Sequence, residues 1–104
     1  MHARIAKYTY TGDGEALARR AEEGLLPIFQ SQTGFQDYTI IVNEEKVISI
    51  SAWDSAEHAE AANAAAAGWV AENMTDEIEL KNTTIGEILV STTLGISTKA
   101  GITA

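Results

Sequence analysis

The chain contains no cysteine. That rules out disulfide cross-links, thiolate nucleophiles and iron–sulfur ligation. Basic residues are scarce: seven Lys and Arg stand against fifteen Asp and Glu, for a formal net charge of −8. Such a chain repels a phosphate backbone and an anionic lipid surface, so neither nucleic acid nor membrane is expected as a partner. Only two histidines are present, His2 and His58, and neither has a neighbour at ligand-like spacing. No metal site is expected. No run approaches the roughly 18 apolar residues of a membrane-spanning helix, and the first residues lack a signal-peptide profile. A cytoplasmic protein is the expectation.

What is present is a globular composition, 45% hydrophobic and 21% charged. A chain of 104 residues makes one domain. We read a core over residues 3–92 and a small, weakly patterned tail over 93–104. A domain this small buries only about two-thirds of its unfolded surface, so a partner subunit would add stability.

The segment from Ala3 to Thr11 is rich in aromatic and β-branched residues and reads as a strand. Gly12 to Gly14 is turn punctuation, and Asp13 is placed to cap the helix that follows. From Glu15 to about Gln32, Leu17, Ala21, Leu25 and Ile28 recur at helical spacing. Pro27 inside that helix predicts a kink near Gly24. Gly34 suits a left-handed helix exit. Phe35–Asn43 and Val47–Trp53 read as an antiparallel hairpin around a Glu44–Lys46 turn. Asp54 to Glu57 resembles a capping box, opening a helix from about Ser55 to Met74. Residues 76–84 read as a polar connection, and Ile85–Thr93 as the last strand. The order is βαββαβ: an α+β, ferredoxin-like plait with two helices on one sheet face.

The alternation of the strands predicts two face sets. One joins Tyr38, Ile40 and Val42 to Ile48, Ile50, Ile88 and Val90. The other joins Thr39 and Ile41 to Val47, Ser49, Ser51, Trp53, Ile85, Glu87 and Leu89. Aliphatics on a face that no helix covers call for a partner, so we expect a twofold homodimer, two plaits back to back as a dimeric α+β barrel. A tail folded over a monomer's sheet is the alternative.

The second helix is alanine-rich yet carries Asn63 and Trp69. At about 100° per residue, Asn63 centres on a stripe of Ala56, Ala59, Ala66, Ala67, Val70 and Met74. Alanines there leave room above the sheet. A buried carboxamide needs partners, which fits a small pocket with a polar roof, or a carboxamide bonded to backbone and doing nothing else. Trp69 and Trp53 also fit as packing residues, and His58 as a solvated one.

The segments Thr33–Tyr38, Val47–Val70 and Thr84–Thr92 together resemble the antibiotic-biosynthesis-monooxygenase-like domains of the dimeric α+β barrel superfamily. The resemblance implies a cofactor-independent monooxygenase-like enzyme, with no metal or flavin, acting on a small aromatic or polyketide-type substrate between helices and sheet. It implies Asn63 as the catalytic candidate, with Tyr38, Trp53, Asn63 and Trp69 binding substrate. A tyrosine hydroxyl, from Tyr38, Tyr8 or Tyr10, would donate to a substrate anion. Haem degradation is not expected, because no histidine follows His58 and the first strand has no asparagine. No general base stands out, which leaves open a non-catalytic homodimer that binds a small apolar molecule or serves an accessory role.

Overall fold

The structure, a computed structural model, describes residues 1–74 and 76–98. The element order is β1 (His2–Tyr10), α1 (Gly14–Ser31), β2 (Phe35–Asn43), β3 (Lys46–Trp53), α2 (Ala56–Asn73) and β4 (Ile78–Glu87). The strands form one antiparallel sheet in the order β2-β3-β1-β4, with both helices on one face. This is the βαββαβ plait that the sequence predicts. No helix among the described residues is long and apolar enough to cross a membrane.

Local chemistry explains the element boundaries. The Asp13 carboxylate accepts from the Glu15 N–H at 3.0 Å and caps α1. The helix runs unbroken through Pro27 to Ser31. Gly34 then takes φ +86, and its carbonyl accepts from the Asp54 N–H at 2.9 Å. The second cap differs from the expectation by one residue. Ser55, not Asp54, is the N-cap of α2, its hydroxyl accepting from the His58 N–H. The Asp54 side chain instead bonds the His58 ring.

Two corrections concern the sheet. The last strand, Ile78–Glu87, begins inside the polar connection expected over residues 76–84, shares only residues 85–87 with the expected strand, and ends before Ile88. As an edge strand it pairs only with β1, so its polar residues Glu79, Lys81, Asn82 and Thr84 stay solvated. Its sequence therefore lacks the apolar signature of a central strand. Leu89 and Val90, expected inside the strand, lie beyond it and are exposed.

The hairpin faces are also exchanged. Val42 pairs with Val47, Ile40 with Ser49 and Tyr38 with Ser51. The loop is therefore Glu44–Glu45, two residues, with Glu45 at φ 60. One residue fewer than expected flips every β3 side chain relative to β2. Tyr38, Ile40 and Val42 thus share the helix side with Val47, Ser49 and Ser51. Ile48 and Ile50 join Thr39 and Ile41 on the uncovered side. Ile5 stands opposite Ile50 across β1 and adds to that side.

The core has two parts. Phe29, Trp53, Leu25, Ala59, Ala62 and Ala66 form the larger, with Phe35, Tyr38 and Ile85 against it. Phe29 makes edge contacts with Tyr38 and Trp53, at centroid distances of 5.2 and 5.3 Å. A β-bulge between Phe35 and Asp37 lets both Phe35 and Tyr38 reach the helix side despite their odd spacing. Ala6, Tyr8 and Val47 centre the smaller part. Of the tail expected over 93–104, residues 93–98 are described, with Ser91 and Ile96 exchanging backbone bonds of 2.9 and 2.8 Å. Residues 99–104 lie outside the described residues.

Candidate functional site

The stripe of α2 that meets the sheet is Ala59, Ala62 and Ala66, with Met74 beyond the helix end. It is rotated from the expected stripe, so Ala56 and Ala67 are exposed. Asn63 therefore sits at the margin of the contact. From there its Oδ1 accepts from Arg4 Nε at 2.7 Å.

Arg4 is the residue that the sequence did not single out. It lies on β1 with Ala6 and Tyr8 on the helix side of a central strand, and only 1% of its surface is exposed. Its Nη2 donates to the Tyr8 hydroxyl at 3.3 Å, and its Nη1 has no partner among the described residues. None of the ion pairs among the described residues involves it. A buried guanidinium without a carboxylate is costly. The signal was available in the strand's parity: Arg4 alternates in step with the apolar Ala6 and Tyr8, not with the solvated Lys7.

Tyr8, the partner of Arg4, lines a cavity of about 30 Å³ between the sheet and the helices, room for one or two water molecules. Its wall is mostly apolar, from Leu17, Leu25, Val47, Trp69 and Met74, and its polar members are Tyr8, Tyr38 and Ser49. The Tyr38 and Ser49 hydroxyls are buried and have no hydrogen-bond partner among the described residues. Burial pushes the Tyr38 phenol above the ordinary tyrosine range; the nearby Ser49 hydroxyl and Arg4 charge offset part of that rise, and Tyr8 adds to it.

The expected site residues are thus distributed as follows. Tyr38 and Trp69 line the cavity. Asn63 is joined to it through Arg4 and Tyr8. Trp53 is fully buried in the aromatic cluster, its Nε1 donating to Ser51 Oγ at 2.9 Å, and it is not part of the cavity wall. Trp69 does two things at once. Besides lining the cavity it packs against α1 at Gly24, where an added Cβ would come within 2.5 Å of its Cζ2. Only a glycine admits the ring there.

The wall holds hydroxyl donors and no carboxylate or histidine. Among the described residues no group of three His, Asp or Glu is arranged to hold a metal ion.

Fold and site together define a ferredoxin-like α+β protein with a small helix–sheet cavity. Its structural neighbours are antibiotic-biosynthesis-monooxygenase-like proteins of the same fold. SnoaB, a cofactor-independent oxygenase from Streptomyces nogalater, superposes with TM-score 0.68 at 14% identity, over 88% of this chain and 95% of that one. It has also been solved as an asparagine-to-alanine variant. A candidate antibiotic biosynthesis monooxygenase from Chloroflexus aurantiacus gives TM-score 0.64 at 19% identity, over 86% and 94% of the two chains. A dimeric ferredoxin-like protein from an uncultured marine organism gives 0.63 at 11%, over 88% and 97%. At these identities the likeness establishes the fold. No protein-family model and no curated protein matches the sequence.

Proposed function

We propose that the chain is a homodimeric, cofactor-independent monooxygenase-like enzyme acting on a small aromatic or polyketide-type molecule at the helix–sheet cavity. The observation that carries this reading is the hydrogen bond between buried Arg4 and half-buried Asn63, connected through Tyr8 to a helix–sheet cavity. In this chemistry an acidic substrate methylene is ionised, and the resulting carbanion reduces dioxygen. One oxygen atom is retained as a ketone, and the other leaves as water with the two methylene hydrogens. The protein's share is to hold the anionic oxygen with preorganised donors and to exclude bulk water. A tyrosine hydroxyl, of Tyr8 or Tyr38, is the donor, Arg4 the charge behind Tyr8, and Asn63 the group that fixes Arg4. Trp69 supplies the apolar wall for the ring.

The dimer reading rests on the uncovered sheet face, where Ile5, Ile41, Ile48 and Ile50 gather. Ile41 alone is 45% exposed. A second copy would cover this face, as the dimeric state of one neighbour supports.

A specific observation favours a second reading, a small-molecule-binding homodimer without catalysis: the cavity wall contains no general base. Oxygen uptake with an anthrone-type phenol separates the two. Uptake by the parent that falls in Asn63→Ala supports the enzyme. No uptake by either leaves the binding protein.

A further inference from the structure

We propose that a ligand of the helix–sheet cavity enters between α1 and the β2 edge, past Ala18, Tyr38 and Ile40. Once bound it spans that opening, its apolar end inside and its polar end in the groove outside. The ligand class is an elongated small molecule with an aromatic body and one polar end. This rests on the reading that the cavity takes a small molecule, and it does not require turnover.

A groove of about 450 Å³ lies on the outer side of α1 against β2. β2 is an edge strand, so no further strand crowds it. Ala18, Tyr38 and Ile40 line this groove and also the inner cavity. They are the partition between the two spaces. Ala18 is its thin point, since an alanine has no atom beyond Cβ. The other seams are closed more firmly. Trp69 fills the seam between the helices at Gly24, where an added Cβ would already collide with the indole. Arg20 straps α1 to the far end of α2, through Glu77 and the Asn73 carbonyl. The α1–β2 seam is held by side-chain packing, and none of the ion pairs among the described residues crosses it. Packing contacts are individually weak, and a ligand that takes their place restores them.

Volume and wall chemistry set the ligand class. The inner cavity, about 30 Å³, is far below the roughly 150 Å³ of an apolar cavity that holds benzene. A ring therefore reaches Trp69 only when cavity and groove become one space. Half-buried Tyr38 and Ile40 are the side chains that turn to join them. The inner wall is mostly apolar and suits the apolar end. A charged inner end would be stranded there. In the groove, Glu15, Arg19 and Glu22 are exposed, and none of them is in an ion pair among the described residues. They offer both donors and acceptors to a polar end.

The test titrates the protein with 2-naphthol, two fused rings bearing one hydroxyl. The Trp69 indole N–H reports on the cavity in nitrogen-15 spectra, and the Leu26 methyl groups report on the groove in carbon-13 spectra. Both are expected to shift and to saturate together. Ala18→Phe fills the partition and is expected to weaken binding roughly tenfold or more, with Ala18→Leu falling between it and the parent. The leucine variant also serves if the phenylalanine variant does not fold. Ala67→Phe adds the same ring on the exposed side of α2 and should leave binding unchanged. A shift of Trp69 without Leu26, or parental affinity in the Ala18 variants, overturns this entrance and leaves the small-molecule reading standing. A shift of Leu26 without Trp69 overturns it as well and leaves a surface groove. No saturable shift at either residue overturns both readings. Binding at both residues without oxygen uptake would overturn the oxygenase reading and leave this one standing.

Discussion

Arg4 on β1 and Asn63 on α2, 59 positions apart in the chain, meet in a 2.7 Å hydrogen bond in which a buried cation is held by a neutral carboxamide. The bond ties the central strand to the alanine-rich helix. Asn63→Ala strands the Arg4 Nε–H and is expected to cost about 1–3 kcal/mol in urea unfolding. Asn63→Asp supplies the missing counter-charge. It should leave stability near the parent's at neutral pH in the same urea unfolding and make it fall as pH drops through the carboxylate range.

Gly24 is the seat of the Trp69 ring. Alanine there would ordinarily favour a helix by up to about 1 kcal/mol. Here its Cβ would meet three indole atoms at 2.5–2.8 Å, an overpacking cost of about 1–3 kcal/mol. Gly24→Ala should therefore lower the melting temperature and alter the near-ultraviolet circular dichroism of the tryptophans. Adding Trp69→Leu should recover much of the loss, since the clash goes with the ring.

The uncovered sheet face is tested by Ile50→Asp. Ile50 stands between Ile5 on β1 and Thr39 on β2, away from the cavity. Equilibrium sedimentation should shift from twice the chain mass to the chain mass, with the far-ultraviolet circular dichroism retained. A parent that already sediments as one chain would sink the dimer.

Tyr38 gives a pH dependence with a fixed sign. Its pKa is raised in the folded state, chiefly by burial, so the native protein holds the phenolic proton more tightly than the unfolded chain. Its contribution is complete below the ordinary tyrosine range and is lost as pH rises through that range to the folded value. Tyr38→Phe should flatten the alkaline limb of stability measured by chemical denaturation against pH.

Much of the plait was legible because its signals are local. The helical spacing of Leu17, Ala21 and Leu25, the cap at Asp13 and the left-handed Gly34 all act within a few residues. So does the strand character of Phe35–Asn43, whose bounds agree with the sequence reading. The last strand was misread for the converse reason: residues 78–87 are held by pairing with β1, a partner 68 to 85 positions away, and their solvated side chains carry no periodic apolar mark.

The same division runs through the site. Sequence by itself determined the order of elements, the short side chains of α2, and the presence there of one carboxamide and one indole, because these follow from composition and near-neighbour spacing. Tertiary structure decided which faces meet, since a two-residue hairpin loop rather than a three-residue one sets the register and moves Ser49 beneath the helices. It also decided that Arg4, ordinary as a surface residue, is enclosed. Burial depends on what the rest of the chain places above a strand, and that is settled only when the two halves of the plait close over it.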